Sequence, residues 1–380
     1  MKSLVVAPAG ILLVLALAAC SPAAEPSPTP SASQAEPSPS VAPPDPAPPL
    51  QAGAVAELAS GLRAPWSVVP LQDGGALISE RDDARILELD ASGERREVAA
   101  VAGVDPGGEG GLLGLALQEP VEGSDTRWLY AYYTSASDNR IVRMPLTGEA
   151  GALELGEQQV ILSGLAKANN HDGGRLAFGP DGMLYATVGD AGVEDAAQDP
   201  DSLNGKILRM TPDGTVPPGN PLGASLVWSM GHRNPQGIAW AADGTMYAAE
   251  FGQDTWDELN RIEPGANYGW PVVEGVADDP RFVDPLQQWS TDVASPSGLT
   301  SIGGTLFLAG LGGERLWVIQ DAGGQSTAAA AFDDEYGRLR DAVAAPDGSL
   351  WLLTNNTDGR GDPGAGDDRL LRVELTPVPE

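Results

Sequence analysis

The 380-residue chain holds a single cysteine, Cys20, which excludes a disulfide framework and a cysteine-ligated zinc site. Two histidines, His171 and His232, leave little room for a histidine-rich metal cluster. Lysine is almost missing: Lys2, Lys167 and Lys206 are the whole complement, and 22 basic residues face 53 acidic ones. A formal charge of −31 argues against a nucleic-acid partner, because affinity for a phosphate backbone comes from clustered Lys and Arg. No aromatic residue precedes Trp66, and beyond the first twenty residues no apolar run is long enough to span a bilayer. Glycine and proline are abundant, at 48 and 33 residues. With 42% hydrophobic residues the chain can still build a sizeable core.

Residues 1–19 read as an export signal. Lys2 gives a basic start, and Leu4 to Ala19 are uncharged, apolar and broken by Pro8 and Gly10, too short a run for a comfortable spanning helix. Leu17-Ala18-Ala19-Cys20 resembles a bacterial lipobox. That resemblance implies that Cys20 becomes the first mature residue and carries a diacylglycerol, so that the protein is exported and lipid-anchored to the outer face of the cell membrane, at the cell surface or in the periplasm. Residues 20–53 follow as a linker; the stretch 21–50 alone has 11 Pro, six Ser and three charged residues. Such a segment buries too little apolar surface to offset its ordering entropy. The folded domain is expected over residues 54–380.

Within it one phrase returns six times: a turn containing glycine, then an alternating apolar strand. The copies begin at Asp73, Thr126, Asp181, Asp243, Gly303 and Asp347, and their second residues are spaced by 53, 55, 62, 60 and 44. A further short strand follows several copies, as at 86–89, 141–144, 207–210 and 370–373. Long helical periodicity is absent. One four-stranded unit per copy, each needing neighbours to bury both faces, predicts an all-β fold, a six-bladed β-propeller. Ligands of such folds sit at a channel mouth, among loops between strands and blades.

Four segments are richer in polar residues and glycine than a surface loop requires: 108–116, 169–192, 231–237 and 250–271. His171 can change charge near neutral pH, and Asp190, one strand further on, is placed to orient its imidazole, as a general base requires. The alternative is a histidine that only caps a turn. Arg233 suits a carbonyl oxygen or a carboxylate through its fork, or an ordinary salt bridge. The Glu250–Asn260 stretch offers oxygen ligands for Ca²⁺ without the spacing of an EF-hand.

Taken together, these segments resemble the soluble pyrroloquinoline-quinone (PQQ) sugar dehydrogenases, and within them the bacterial aldose sugar dehydrogenase branch. The likeness runs from Leu62 to Arg372 through Pro65-Trp66, GEGGLLG at 108–114, His-Asp-Gly-Gly-Arg-Leu at 171–176, GHRNPQG at 231–237, Asp257-Glu-Leu-Asn, Asn267-Tyr-Gly-Trp-Pro and Arg338-Leu-Arg-Asp. It implies a six-bladed propeller that oxidises aldoses to lactones with PQQ and Ca²⁺ and passes electrons to an external acceptor, a quinone or a cytochrome. By the same resemblance His171 is the base, Asp190 its orienting carboxylate, and Arg233 the cation beside the quinone oxygens. Glu109, Asn234, Gln236, Arg338 and Arg340 match other cofactor-pocket positions. The main-chain carbonyls of Gly252 and Gln253 match ligands of the cofactor's calcium, and Glu258 and Tyr268 match a second, structural calcium site.

The resemblance also implies a pocket lysine where this chain reads Leu311-Gly312-Gly313, and Lys206 stands in a different motif. A calcium-dependent propeller lactonase would explain the acidic loops but leave Arg233, Arg338 and Arg340 idle. A non-catalytic surface propeller would have no need of the His171–Asp190 pair.

Overall fold

The recurrent phrase is a hairpin turn. In four copies an aspartate carboxylate accepts the main-chain N–H two residues on: Asp73 from Gly75, Asp181 from Met183, Asp243 from Thr245 and Asp347 from Ser349, at 2.9–3.1 Å. The glycine between them takes a positive φ that other residues reach only with strain, 88° at Gly74 and 89° at Gly244. The strand after each turn is therefore always the second of its sheet.

The computed structural model describes residues 48–121, 123–323 and 325–379. They form six antiparallel sheets arranged as a six-bladed β-propeller. The first blade comprises strands Pro65–Pro70, Ala76–Glu80, Arg85–Leu89 and Arg95–Ala100. Blades two to five open with Leu112–Gln118, Leu176–Phe178, Asn234–Trp240 and Pro296–Ile302, and each continues outward through three more strands, the second blade carrying the short strand Glu154–Leu155 in addition. The sixth contains Leu339–Ala344, Leu350–Thr354 and Leu370–Pro377, and its outermost strand is Leu50–Ala59 from the other end of the chain. Among the described residues the only helical element is a 3₁₀ turn, Glu194–Ala197, and no helix is long and apolar enough to cross a membrane.

Strand alternation explains how each blade serves two neighbours. In Thr305–Gly310, Leu306 and Leu308 pack with the fourth blade, while Phe307 and Ala309 pack with the sixth. In Leu350–Thr354, Leu350 and Leu352 face the fifth blade, and Trp351 and Leu353 face the first. The described core accordingly divides into one apolar cluster at each junction between blades. The first strands form the inner ring. Space there is tight: a Cβ on Gly237 would lie 2.2 Å from the carbonyl oxygen of Ser297, and one on Gly298 2.2 Å from Asp341 Oδ1.

The folded domain starts at Leu50, four residues before the boundary at 54 read from the sequence. Leu50 pairs with Pro377 and Glu57 with Leu371, so this strand closes the ring through main-chain bonds. Its partly buried Leu50, Ala52 and Val55 pack on the core between the fifth and sixth blades. The export signal, Cys20 and the rest of the linker up to residue 47 lie outside the described residues.

Gly237→Ala should destabilise the fold by about 1–3 kcal/mol through overpacking of the inner ring. Gly107→Ala, at a position with open space around it, should leave the thermal midpoint unchanged. Calorimetry of the two variants measures the difference, and equal midpoints would contradict the close approach.

Candidate functional site

A propeller of this topology has two ends, and the sequence-chosen residues fall at one of them. They lie at the starts of first strands (Glu109, His171, Arg233, Asn234, Gln236, Arg338, Arg340) or just past the ends of second strands (Asp190, Gly252, Gln253). The Asp-Gly hairpins occupy the opposite end.

His171 sits at φ 62° and is 8% exposed. Gly189 makes this path possible, because a Cβ there would stand 1.9 Å from the His171 carbonyl oxygen. The imidazole Nδ1 lies 2.7 Å from Asp190 Oδ1. Asp190 is wholly buried and is itself fixed: Trp270 Nε1–H donates to Oδ2 at 2.9 Å, and the Gly192 N–H donates to Oδ1 at 2.7 Å. Burial alone would raise the Asp190 carboxyl, but the donors His171, Gly192 and Trp270 outweigh it and hold it below the ordinary value. Asp190 is therefore an anion at neutral pH, Nδ1 carries the proton, and Nε2 is left as the basic nitrogen.

Glu109 ties three elements together. Its Oε2 accepts from the His171 N–H at 3.0 Å and from Asn234 Nδ2 at 3.3 Å, and its Oε1 accepts from Arg360 at 3.1 Å. It also lines an open cleft of about 430 Å³ whose other walls include Trp66, Gln236, Arg338, Arg340 and Arg360. Arg340 is 5% exposed; it donates to Gln236 Oε1 at 2.8 Å, and burial pushes its guanidinium down to about 9. Arg338 pairs with Asp358 at 3.2 Å, while Arg340 reaches the same carboxylate only at 3.8 Å. The Nε atoms of Arg338 and Arg340 are buried without a partner.

Arg233 stands on the other side of His171. Its carbonyl accepts the Asp190 N–H at 2.8 Å, and its guanidinium lies 5.4 Å from the centre of the Trp270 ring. The side-chain oxygen of Gln253 accepts from both Nε and Nη2 of Arg233. A second, narrow pocket is lined by Arg233, Glu250, Gly252, Glu258, Tyr268 and Glu274 among others. Glu250 and Glu258 oppose each other directly across paired strands. Burial and then Glu250 push the Glu258 carboxyl up to about 8. Asn260 Oδ1, on the same strand, is buried with no hydrogen-bond partner.

The structure thus gathers Gly252, Glu258 and Tyr268 on one pocket, with the exposed Gln253 beside it turned to Arg233. The Tyr268 hydroxyl donates to the Arg261 carbonyl at 2.7 Å and accepts from the Glu263 N–H at 2.8 Å, so it is already engaged. Among the described residues no group of three His, Cys, Asp or Glu side chains could hold a metal, so a cation here must draw on amide and main-chain oxygens too. Lys206 is excluded from the cleft: its ammonium donates to the carbonyls of Ala196, Ala197 and Asn204. Sequence reasoning missed Arg360, Asp358 and the hydrogen bond from Trp270. Only Arg360 had a visible signal, a lone cation between two glycines.

The Glucose / Sorbosone dehydrogenase family model matches residues 62–372. Among solved structures, the PQQ-bound form of aldose sugar dehydrogenase from Streptomyces coelicolor is 50% identical, with a TM-score of 0.82 over 87% of this chain and 100% of that one. Aldose sugar dehydrogenase YliI of Escherichia coli is 29% identical over 80% of this chain and 91% of its own length. Quinoprotein glucose dehydrogenase B of Acinetobacter calcoaceticus is 29% identical over 58% of this chain and 53% of its own. With one family model matching most of the chain, on the propeller and around the residues just described, the protein belongs to the glucose/sorbosone dehydrogenase family of oxidoreductases.

Proposed function

We propose that the protein oxidises aldose sugars to lactones with PQQ as resident cofactor and Ca²⁺ as its accessory cation. The observation that carries this reading is the poised His171–Asp190 pair, joined through Glu109 to a cleft walled by three guanidiniums. In a chain of charge −31 such a concentration of positive charge suits a polyanionic ligand. The orphaned Nε atoms of Arg338 and Arg340 are donors of the kind that ligand carboxylates satisfy. The cation pocket fits a hard ion in the same sense, with two facing carboxylates, Glu250 and Glu258, and the unpartnered amide oxygen of Asn260. Arg338, Arg340, Gln236 and Asn234 would hold PQQ; the main-chain carbonyls of Gly252 and Gln253 would hold the cofactor's calcium, and Glu258 and Tyr268, with Asn260, a second, structural one.

When bound, PQQ supplies the two-electron acceptor that no amino-acid side chain provides. The chain's own residues supply proton transfer, charge and orientation. Oxidising an anomeric C–OH to a lactone removes two electrons and two protons. His171 Nε2 takes the hydroxyl proton, and Asp190 stabilises the imidazolium that results. Trp270 and Gly192 hold Asp190 so that the imidazole keeps one orientation. Arg233, steadied by Gln253 and Trp270, presents positive charge where negative charge develops. The Leu17–Cys20 motif supports export and a lipid anchor, so that electrons leave to an external acceptor.

His171→Ala should lower kcat by roughly 10²–10⁴-fold, the range of a general base, while PQQ uptake is retained. Unchanged turnover would remove the mechanism. Trp270→Phe should lower kcat roughly tenfold, because it leaves a buried carboxylate oxygen short of a donor. Protein stripped with chelator should regain aldose-dependent dye reduction only when PQQ and Ca²⁺ are both added; dye reduction without PQQ would overturn the quinoprotein reading, and lactone hydrolysis with Ca²⁺ alone and no dye reduction would favour the hydrolase alternative. For the anchor, the wild type should partition into a detergent phase and Cys20→Ala should not. Wild-type protein found in the aqueous phase would contradict lipidation.

A further inference from the structure

The third guanidinium of the cleft belongs to a segment built to deliver it. Residues 355–369 join the second and third strands of the sixth blade. Asp358 organises that connection from inside: its side chain is 1% exposed, its Oδ1 accepts the Arg360 N–H at 2.9 Å, and its Oδ2 accepts from Arg338 at 3.2 Å. One carboxylate therefore sets both the turn carrying Arg360 and the inner arginine below it. Gly359 takes φ 87°. Gly361 lies so close over Arg338 that a Cβ would stand 2.8 Å from Arg338 Cδ. The Asp-Gly-Arg-Gly sequence thus lays the loop on one arginine and sends the next towards the cleft.

The Arg360 side chain is 53% exposed, and its ion pair is with Glu109 at 3.1 Å. Water reaches the pair on the arginine's side while Glu109 is mostly enclosed, so the pair is partly screened and Arg360 is the partner that can turn to a stronger anion. Glu109 does not depend on Arg360 alone, since the His171 N–H and Asn234 also donate to it.

We propose that Arg360 is the outer clamp of the cofactor cleft: it exchanges Glu109 for a carboxylate of the bound quinone cofactor and completes an anion-binding wall with Arg338 and Arg340. The inference rests on the PQQ reading and extends it to a residue outside the motifs that suggested it. Glu109 then keeps its bonds to His171 and Asn234, so the clamp acts on cofactor retention and spares the base.

The test is PQQ binding by the full-length protein with Ca²⁺ present, followed by absorbance titration at several salt concentrations. The variants are Arg360→Ala and Arg360→Lys, with Arg63→Ala, another exposed arginine paired outside the cleft, as control. Arg360→Ala should weaken binding roughly 10- to 100-fold, as expected for a lost charge-assisted hydrogen bond, and flatten the salt dependence. Arg360→Lys should recover part of both, and Arg63→Ala should match the wild type. All thermal midpoints should agree, because Glu109 keeps the donors His171 and Asn234 in each variant. Wild-type affinity and salt slope in Arg360→Ala would overturn the clamp while leaving the PQQ reading intact. A wild-type protein that takes up no PQQ would overturn both.

Discussion

The buried ion pair between Arg175 and Asp341 crosses the axis of the propeller, and the floor of the site is assembled on it. Arg175 belongs to the third blade and Asp341 to the sixth; their charged atoms are 2.8 Å apart and both residues are almost wholly enclosed. Taking two ions out of water is costly, and attraction alone seldom offsets the cost unless the remaining polar atoms are also engaged. Here Arg175 Nε donates to the Gln236 carbonyl at 2.9 Å, and the guanidinium lies 4.3 Å from the centre of the Trp66 ring. Asp341 Oδ2 also accepts the Val68 N–H at 3.2 Å. Four blades thereby meet at one pair of charges. Apolar side chains of the same volume would fill the space, but they would not fix how the blades stand relative to one another around the axis.

That register matters because the cleft is lined by residues attached directly to the pair. Trp66 and Gln236 form part of its wall, and Arg340 is the next residue but one along from the Arg338 that faces the loop. Arg340 lies 5.6 Å from the centre of the same Trp66 ring that Arg175 covers. Negative charge is plentiful elsewhere on this chain, yet here each carboxylate is shared: Asp358 serves Arg338 and the Arg360 main chain, and Glu109 serves His171, Asn234 and Arg360. Sharing keeps positive charge in excess around the cleft. Near His171 the balance differs, since Asp190 is saturated with donors and remains an anion. One end of the ring therefore sets a wall of arginines and the His171–Asp190 pair side by side.

Blade number was legible in the sequence because the hairpin turn leaves a chemical mark. An aspartate that accepts its own downstream N–H beside a glycine at positive φ marks four of the six inner hairpins, at Asp73, Asp181, Asp243 and Asp347. The copy at Thr126 lacks that mark and still forms a full blade, held by its apolar alternation. The start at Leu50 was not legible, since the closing strand is specified by main-chain pairing with a partner more than 300 residues away. His171, Asp190 and Arg233 were found because local glycine-rich context and a family resemblance coincided. Asp358 was hidden among 53 acids; what distinguishes it is burial and geometry, which composition does not report.

The pocket lysine missing between Leu311 and Gly313 has a steric explanation in this chain. A Cβ on Gly313 would stand 2.0 Å from the Val293 carbonyl oxygen, and one on Gly312 2.5 Å from Ser295 Oγ. Leu311 itself lines the cleft, while its neighbours are pressed against the preceding loop. A long basic side chain at 312 or 313 therefore requires a different path for the loop, so a single substitution to Lys would displace backbone before it reached the ligand. The cleft's positive charge stands instead on Arg338, Arg340 and Arg360, the last carried on the loop after Thr354, where Gly359 has open space around it.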